Sequence, residues 1–359
     1  MRLASVVVVA LLMLGVSGAP AAKPKRANLG QLARTLVKDG SPGALVYLRT
    51  PTSTRAGVAG YADRGAHVSM RAVDRFRIAS LTKAFVSVLV LQLESEGKLD
   101  IGDAVEKYLP HVVPNGSVIT LRELLNHTSG LFDYSDDPGF SQTVFDNPER
   151  TWAPLELTAF AFKHAPYFAP GGDYHYSNTN YILLGLVVEA VDGKPLAQSL
   201  QERIAGPLGL TATSLPTTIQ LAPDFVHGYL SLDGSPLIDL AALVSPSIGW
   251  SAGGMVSNAR DVTTFYRALL GGKLLPPAQL AEMETPTAAS GTYGLGIDTS
   301  SATCGRTVGH LGDFSNAWRT EVLSTRNGKR QAVVTVNVDD THVDWARIEA
   351  AADRALCRG

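Results

Sequence analysis

The chain has 359 residues, 45% hydrophobic and 18% charged, with 31 basic residues against 33 acidic ones and a formal net charge of −2. That length and composition supply a full-sized core and show no bias toward disorder. The balanced charge, with no basic block, excludes the sequence-independent phosphate attraction on which nucleic-acid binding depends.

The first 22 residues differ from the rest: Arg2, an uncharged and largely apolar run over residues 3–16, then S-G-A-P-A-A with the small residues of a cleavage site. This pattern predicts a signal peptide over residues 1–22 and hence a secreted or periplasmic protein. The run is 14 residues long, too short to cross a hydrocarbon core of about 30 Å. No cysteine follows it to carry a lipid, and no later stretch is long and apolar enough to span, so no stable membrane anchor is expected.

Residues 28–40 carry apolar side chains at helical spacing and end on Gly40, which predicts a C-capped helix. G-A-L-V-Y-L-R-T and T-R-A-G-V-A-G-Y-A-D then read as two strands joined by a tight turn near residues 51–53. R-I-A-S-L-T-K-A-F-V-S-V-L-V opens a helix over about 80–96, closed by Gly97. From residue 100 to about 246 the signals are mostly helical segments broken by Pro and Gly. After that come a helix capped by Asn258, strands near 291–299, 306–312 and 317–324, and a hairpin from the last of these into R-Q-A-V-V-T-V-N-V. Asn327-Gly328 is a strong signal for that hairpin turn. A helix over 343–356 finishes the chain. Strands at both ends with helices between them imply an α/β sandwich: an antiparallel sheet built from the N- and C-terminal segments (28–97 and 247–358), flanked by helices and carrying an inserted all-helical domain (98–246).

Ser80-Leu81-Thr82-Lys83 puts a hydroxyl and an amine at i and i+3, on one face of a helical turn. Burial near the positive helix end would lower the amine's proton affinity, and the neutral amine could then take the serine proton and leave a nucleophile. Ser95-Glu96-Gly97-Lys98 repeats the spacing, but at a helix end; Ser80 sits at a helix start, where backbone N–H groups can stabilise an oxyanion. Tyr176-Ser177-Asn178, just before an apolar helix, supplies a phenol and an amide two residues apart. Gly309-His310-Leu311-Gly312 lies on a predicted strand, with His310 expected in the cleft and Gly312 expected to let substrate backbone lie close. Lys38-Asp39-Gly40 has a similar basic-residue-x-Gly form, but precedes the serine and ends a helix.

The order Ser80-x-x-Lys83, Tyr176-x-Asn178, His310-x-Gly312 resembles the serine β-lactamase and penicillin-binding superfamily. The tyrosine version is similar to its branch of class C β-lactamases, soluble D-alanyl-D-alanine carboxypeptidases and related esterases. L-L-N-H-T-S-G-L (124–131) and A-G-G-M-V-S (252–257) look like further segments of that branch, and the resemblance runs from about 28 to 358. It implies Ser80 as the acylated nucleophile, Lys83 as its activating amine, Tyr176 as a proton shuttle to the leaving group, and Asn178 as a partner of Lys83 or of the substrate amide. It also implies an oxyanion hole from the backbone N–H groups of Ser80 and Asp313, and neither metal nor cofactor.

Leu311 stands where the family often has threonine, removing a hydroxyl that could bind a substrate carboxylate, a bond of about 1.5–3 kcal/mol. His310 also carries little charge at neutral pH. Arg319 on the next strand could supply that charge, or could be a solvated strand arginine. Gly249-Trp250-Ser251-Ala252-Gly253 matches the nucleophile elbow of α/β-hydrolases, with Asp298 and His310 downstream, although S-P-S-I before it and Gly253-Gly254 after it disfavour the strand and helix an elbow needs. Cys304 and Cys357 form a possible disulfide or two buried thiols, since pairing needs a closeness the sequence does not reveal. The expectation is an exported serine hydrolase, a monomer acting through an acyl-serine on a small-molecule or peptide substrate. D-alanyl-D-alanine stems lead as substrate, with small esters next; a non-catalytic peptidoglycan or β-lactam receptor is the alternative of another class.

Overall fold

The computed structural model describes residues 26–231, 236–339 and 341–359, and the expected signal peptide lies outside them. In chain order the strands are β1 (Gly43–Arg49), β2 (Thr54–Asp63), β3 (Val68–Ser69), β4 (Phe76–Arg77), β5 (Tyr229–Leu230), β6 (Ile238–Asp239), β7 (Val256–Ser257), β8 (Asp298–Ala302), β9 (Gly305–Phe314), β10 (Trp318–Thr325) and β11 (Gln331–Val336). The helices are α1 (Leu29–Lys38), α2 (Thr82–Ser95), α3 (Leu121–Leu125), α4 (Pro138–Asp146), α5 (Pro154–Ala161), α6 (Asn178–Asp192), α7 (Leu196–Leu200), α8 (Gly206–Leu208), α9 (Trp250–Gly253), α10 (Ala259–Leu270), α11 (Pro277–Met283) and α12 (Trp345–Arg358). Among the described residues no helix is long and apolar enough to cross a membrane.

Seven strands pair in the order β3-β2-β1-β11-β10-β9-β8, every neighbour antiparallel, so the two ends of the chain meet where β1 pairs with β11. β1 is buried at six of its seven positions because both faces are covered, which is why it reads as a continuous apolar run. Ala44, Val46 and Leu48 join one core with α1 and α12, through Leu36, Ile348 and Ala352. Leu45 and Tyr47 face the larger core, which continues without a break through α2 into the helices of residues 98–246. α2 runs through that core and is buried on nearly all sides, with Phe85 stacked on Phe265 of α10 at 3.7 Å. This accounts for its near-total apolarity.

Three expectations are corrected in detail and one open alternative is decided. The block at 98–246 is not all-helical: β5 and β6 form a small ladder within it. The predicted strand at 291–299 begins at Asp298; before it the chain turns back, with Gly294 N–H bonded to the Ile297 carbonyl and Thr299 N–H to that of Thr292. Gly296 makes that turn at φ +79, where a Cβ would stand 2.1 Å from Ser87 Oγ. The helix predicted from 80 begins at Thr82, and Ser80 belongs to the tight turn Ala79–Leu81 before it. The two cysteines, left open by the sequence, are joined as Cys304–Cys357, with Cα atoms 5.3 Å apart.

Candidate active site

The turn that holds Ser80 is strapped down from below. β4 pairs with β7, Ile78 N–H donates to the Met255 carbonyl at 3.0 Å, and Met255 N–H donates to Thr82 Oγ1 at 3.3 Å. The A-G-G-M-V-S segment is therefore the floor under the serine. Ala79 is held at φ +49, a costly conformation for a residue with a Cβ. Ser80 remains partly exposed at the mouth of a cavity, while Lys83, one turn on, is fully buried.

Lys83 Nζ lies 3.1 Å from Ser80 Oγ, 2.7 Å from Asn178 Oδ1 and 2.7 Å from the Ala252 carbonyl oxygen. No carboxylate among the described residues forms an ion pair with it. Burial pulls its pKa down to about 7, opposed by the attraction of Asp133. In the neutral amine, two N–H groups can donate to the two carbonyl oxygens, which leaves the nitrogen lone pair toward the Ser80 hydroxyl.

Asn178 is the first residue of α6, which brings it to Lys83 from 95 positions away. Tyr176, two residues earlier, lies with its ring centroid 4.7 Å from Lys83 Nζ. Burial pushes the phenol well above its usual pKa; interaction with Ser80 opposes this, although no full hydrogen bond closes on the Tyr176 oxygen. Tyr176 packs at 4.3 Å on the ring of His127, from the L-L-N-H-T-S-G-L loop. His127 is held at φ +62, and its Nδ1 accepts from Ser177 N–H at 3.1 Å and from Asn180 Nδ2 at 3.2 Å, so its proton sits on Nε2. Burial, with the Lys83 charge, keeps that ring neutral.

His310 does not project into the cleft as expected: it is buried on β9, 6.4 Å from the Tyr176 ring, and does not line the cavity at Ser80. Its Nδ1–H donates to the Leu311 carbonyl, and its Nε2 accepts from the Tyr293 hydroxyl at 3.0 Å. Burial and then the Lys83 charge push its pKa down to about 3, so it is a neutral ring. Gly312 differs from expectation: a Cβ there would stand 2.5 Å from the Ile78 carbonyl oxygen and 3.2 Å from Ala79 Cβ. The space it leaves is filled by the chain's own serine turn, not by substrate. Asp313 lines the cavity beside Ser80, on a stretch of β9 that β8, ending its pairing at Gly309, does not reach. Arg319 is also corrected: it is neither solvated nor in the cavity. It is fully buried under α12, donates to the Val343 carbonyl, stacks over Trp345 at 4.1 Å and approaches Asp313 Oδ2 at 3.5 Å.

The cavity has a volume of about 780 Å³ and apolar walls that include Phe140, Val144, Phe145, Leu240 and Leu243. No lysine or arginine lines it among the described residues; its charged groups are Asp136 and Asp313. The elbow alternative does not assemble. Ser251 follows a tight turn, Pro246–Ile248, instead of a strand, and its buried Oγ has no hydrogen-bond partner among the described residues and lies against Gly185. The short helix α9 does form there, contrary to the reading of Gly253-Gly254, but its contribution is the Ala252 carbonyl. Lys98 pairs with Glu96 at the surface, and Gly40 packs on His342. Asp63, His227 and Asp239 bring ligand-type atoms within 4.8 Å of one another, but none lines the cavity, and His227 Nδ1 is bonded to Asp239 at 2.7 Å.

Three residues of the site escaped the sequence reading. His127 lies within the L-L-N-H-T-S-G-L loop with no chemistry marked by its spacing, Tyr293 lies in a stretch that reads as a strand, and Asp133 carries no signal beyond following that loop.

The chain matches the family described as Beta-lactamase over residues 29–356. It is 33% identical over 243 residues to the PbpX protein of Bacillus subtilis (strain 168), covering 66% of this chain and 57% of that protein. It is 30% identical over 183 residues to Protein flp of Staphylococcus aureus, covering 50% of this chain and 36% of that protein. The chain thus spans less than two thirds of these relatives' lengths. Among solved structures it is similar to a D-stereospecific amidohydrolase from Streptomyces sp., with TM-score 0.82, 37% identity and coverage of 88% and 95% of the two chains. A D-amino acid amidase from Ochrobactrum anthropi SV3 complexed with L-phenylalanine amide follows, with TM-score 0.80, 26% identity and coverage of 91% and 96%. The octameric penicillin-binding protein homologue from Pyrococcus abyssi, at 23% identity, TM-score 0.78 and coverage of 90% and 76%, shares the fold.

Proposed function

The chain belongs to the beta-lactamase family, and from that premise we propose a serine hydrolase that cleaves an amide or ester with an uncharged leaving side, through an acyl-enzyme on Ser80. The observation that carries this reading is the Lys83 amine at 3.1 Å from Ser80 Oγ, held by two carbonyl oxygens.

Ser80 Oγ attacks the substrate carbonyl carbon while its proton passes to Lys83. The negative charge on the former carbonyl oxygen is taken by the backbone N–H groups of Ser80 and Asp313. Tyr176 gives its proton to the departing nitrogen or oxygen and regains one from Lys83. Water then attacks the acyl carbon, loses a proton to the same groups, and releases the acid with Ser80 restored.

The nature of the leaving side follows from charge. A carboxypeptidase needs a cation or donor for the terminal carboxylate, and none is supplied by neutral His310, by Leu311 or by Arg319 under α12. Apolar walls and the Asp136 carboxylate favour an apolar acyl part and repel an anion. The likeness to a D-stereospecific amidohydrolase and a D-amino acid amidase supports D-amino acid amides as the substrate class, with small esters beside them. One copy of the chain contains every group named, which supports a monomer as the working unit. Export by residues 1–22 remains part of the proposal.

The test is a panel of D-phenylalanine amide, a D-Ala-D-Ala peptide and a p-nitrophenyl ester. Ser80→Ala and Lys83→Ala should each lower kcat/KM by about a thousandfold or more. Turnover retained in Ser80→Ala would overturn the acyl-serine reading, and a higher kcat/KM on the D-Ala-D-Ala peptide than on the amide would overturn the uncharged leaving side.

A further inference from the structure

Asp133 is not among the groups that touch Ser80, yet its buried carboxylate is held entirely by the scaffold of the site. Oδ1 accepts from the N–H of Ser135 at 2.9 Å and from its hydroxyl at 2.8 Å. Oδ2 accepts from the backbone N–H of Asn178 at 2.9 Å and from its side-chain amide Nδ2 at 3.0 Å. The other end of the same amide, Oδ1, faces Lys83 Nζ at 2.7 Å. A primary amide has one accepting end and one donating end. A carboxylate that occupies the donating end therefore fixes the accepting end toward the lysine, and without it the amide could turn its own N–H groups on the amine.

The surroundings leave Asp133 electrically prominent. Facing Lys83 are the rings of His127 and His310, both neutral, and the phenols of Tyr176 and Tyr181, both kept protonated by burial. Facing Asp133 are Asp136, a like charge, and the phenols of Tyr134, Tyr176 and Tyr167, the last accepting from Asp133 N–H at 3.3 Å. Burial raises the carboxyl's proton affinity, and its N–H and O–H donors oppose this. The attraction between Asp133 and Lys83 acts against the desolvation of the amine.

We propose, resting on the Ser80–Lys83 reading above, that Asp133 is the positioning residue of the proton acceptor: through Asn178 it orients the Lys83 amine, and by its charge it keeps that amine basic enough to take the Ser80 proton. The carboxylate forms no bond to substrate and acts through the amide and through space.

The pH dependence of kcat/KM on an uncharged p-nitrophenyl ester separates this from a merely structural part. In the parent enzyme the rate should rise as Lys83 loses its proton, an acid limb near pH 7. Asp133→Asn keeps the shape and removes the charge, so the limb should move down by about one unit and the plateau should fall about tenfold or more, because a weaker base accepts the proton less well. Ser135→Ala, which removes the hydroxyl's bond to the carboxylate but keeps the backbone N–H bond and every charge, should lower the plateau and leave the limb in place. Should Asp133→Asn fail to fold, Asp133→Glu keeps the charge on a longer arm, and the limb should stay while the plateau falls. An unmoved limb in folded Asp133→Asn overturns the inference even if the rate drops, as does a limb moved by Asp133→Glu. Turnover surviving Ser80→Ala would instead overturn the reading beneath it.

Discussion

A hydroxyl, an amine and a phenol do the proposed proton work, and burial tunes the amine and the phenol more than charge does. Tyr176 is held protonated before the reaction, so its part is to give a proton to a leaving group that needs one. Amide nitrogen needs it; p-nitrophenolate does not. Tyr176→Phe should therefore lower kcat on D-phenylalanine amide by about a hundredfold or more while costing the p-nitrophenyl ester about tenfold or less. Equal losses on both substrates, with an unchanged melting temperature, would remove the tyrosine from leaving-group protonation. At this scale the spacing of Ser80 and Lys83 was legible, because i and i+3 on a helical turn is a local rule. Asp133 was not, because an aspartate after a loop looks the same whether it is solvated or buried against Asn178.

Among elements, the contact that positions the nucleophile is β9 against the turn Ala79–Leu81, and Gly312 is where the two backbones meet. A methyl group at that point has no free volume on the Ile78 side, so strand and turn must separate. Gly312→Ala should cost about 1–3 kcal/mol of stability and lower kcat/KM by more than tenfold, read by thermal melting and ester turnover below the melt. A folded Gly312→Ala enzyme with parent activity would show that the close approach has no catalytic consequence. The glycine was visible in the sequence, but what lay against it was not. The stretch at 291–299 departs from its pattern for a related reason: its alternation looks like a strand, while its glycines serve a turn that delivers Tyr293 to His310.

For the whole molecule, the sheet closes the chain's two ends on each other, and the disulfide ties the turn between β8 and β9 to the end of α12 across 53 residues. A crosslink over such a loop limits the unfolded chain, an effect of up to about 4 kcal/mol in the entropic picture. Cys304→Ser with Cys357→Ser should lower the melting temperature by several degrees, on the order of 2–4 kcal/mol, and leave ester turnover intact well below the melt, since neither cysteine lines the cavity. An unchanged melt would mean that α12 is held by packing alone. By itself the sequence determined the order of elements, the two-ended origin of the sheet and the three short patterns that bear the reactive groups. All of these follow from residue identity and near-neighbour periodicity. The tertiary structure decided that Lys83 is buried, that Arg319 turns away under α12 and that Asp133 reaches the amine through Asn178. A dielectric and a contact belong to the surroundings of a side chain, and for Lys83 those surroundings come from residues 95 and 169 positions away.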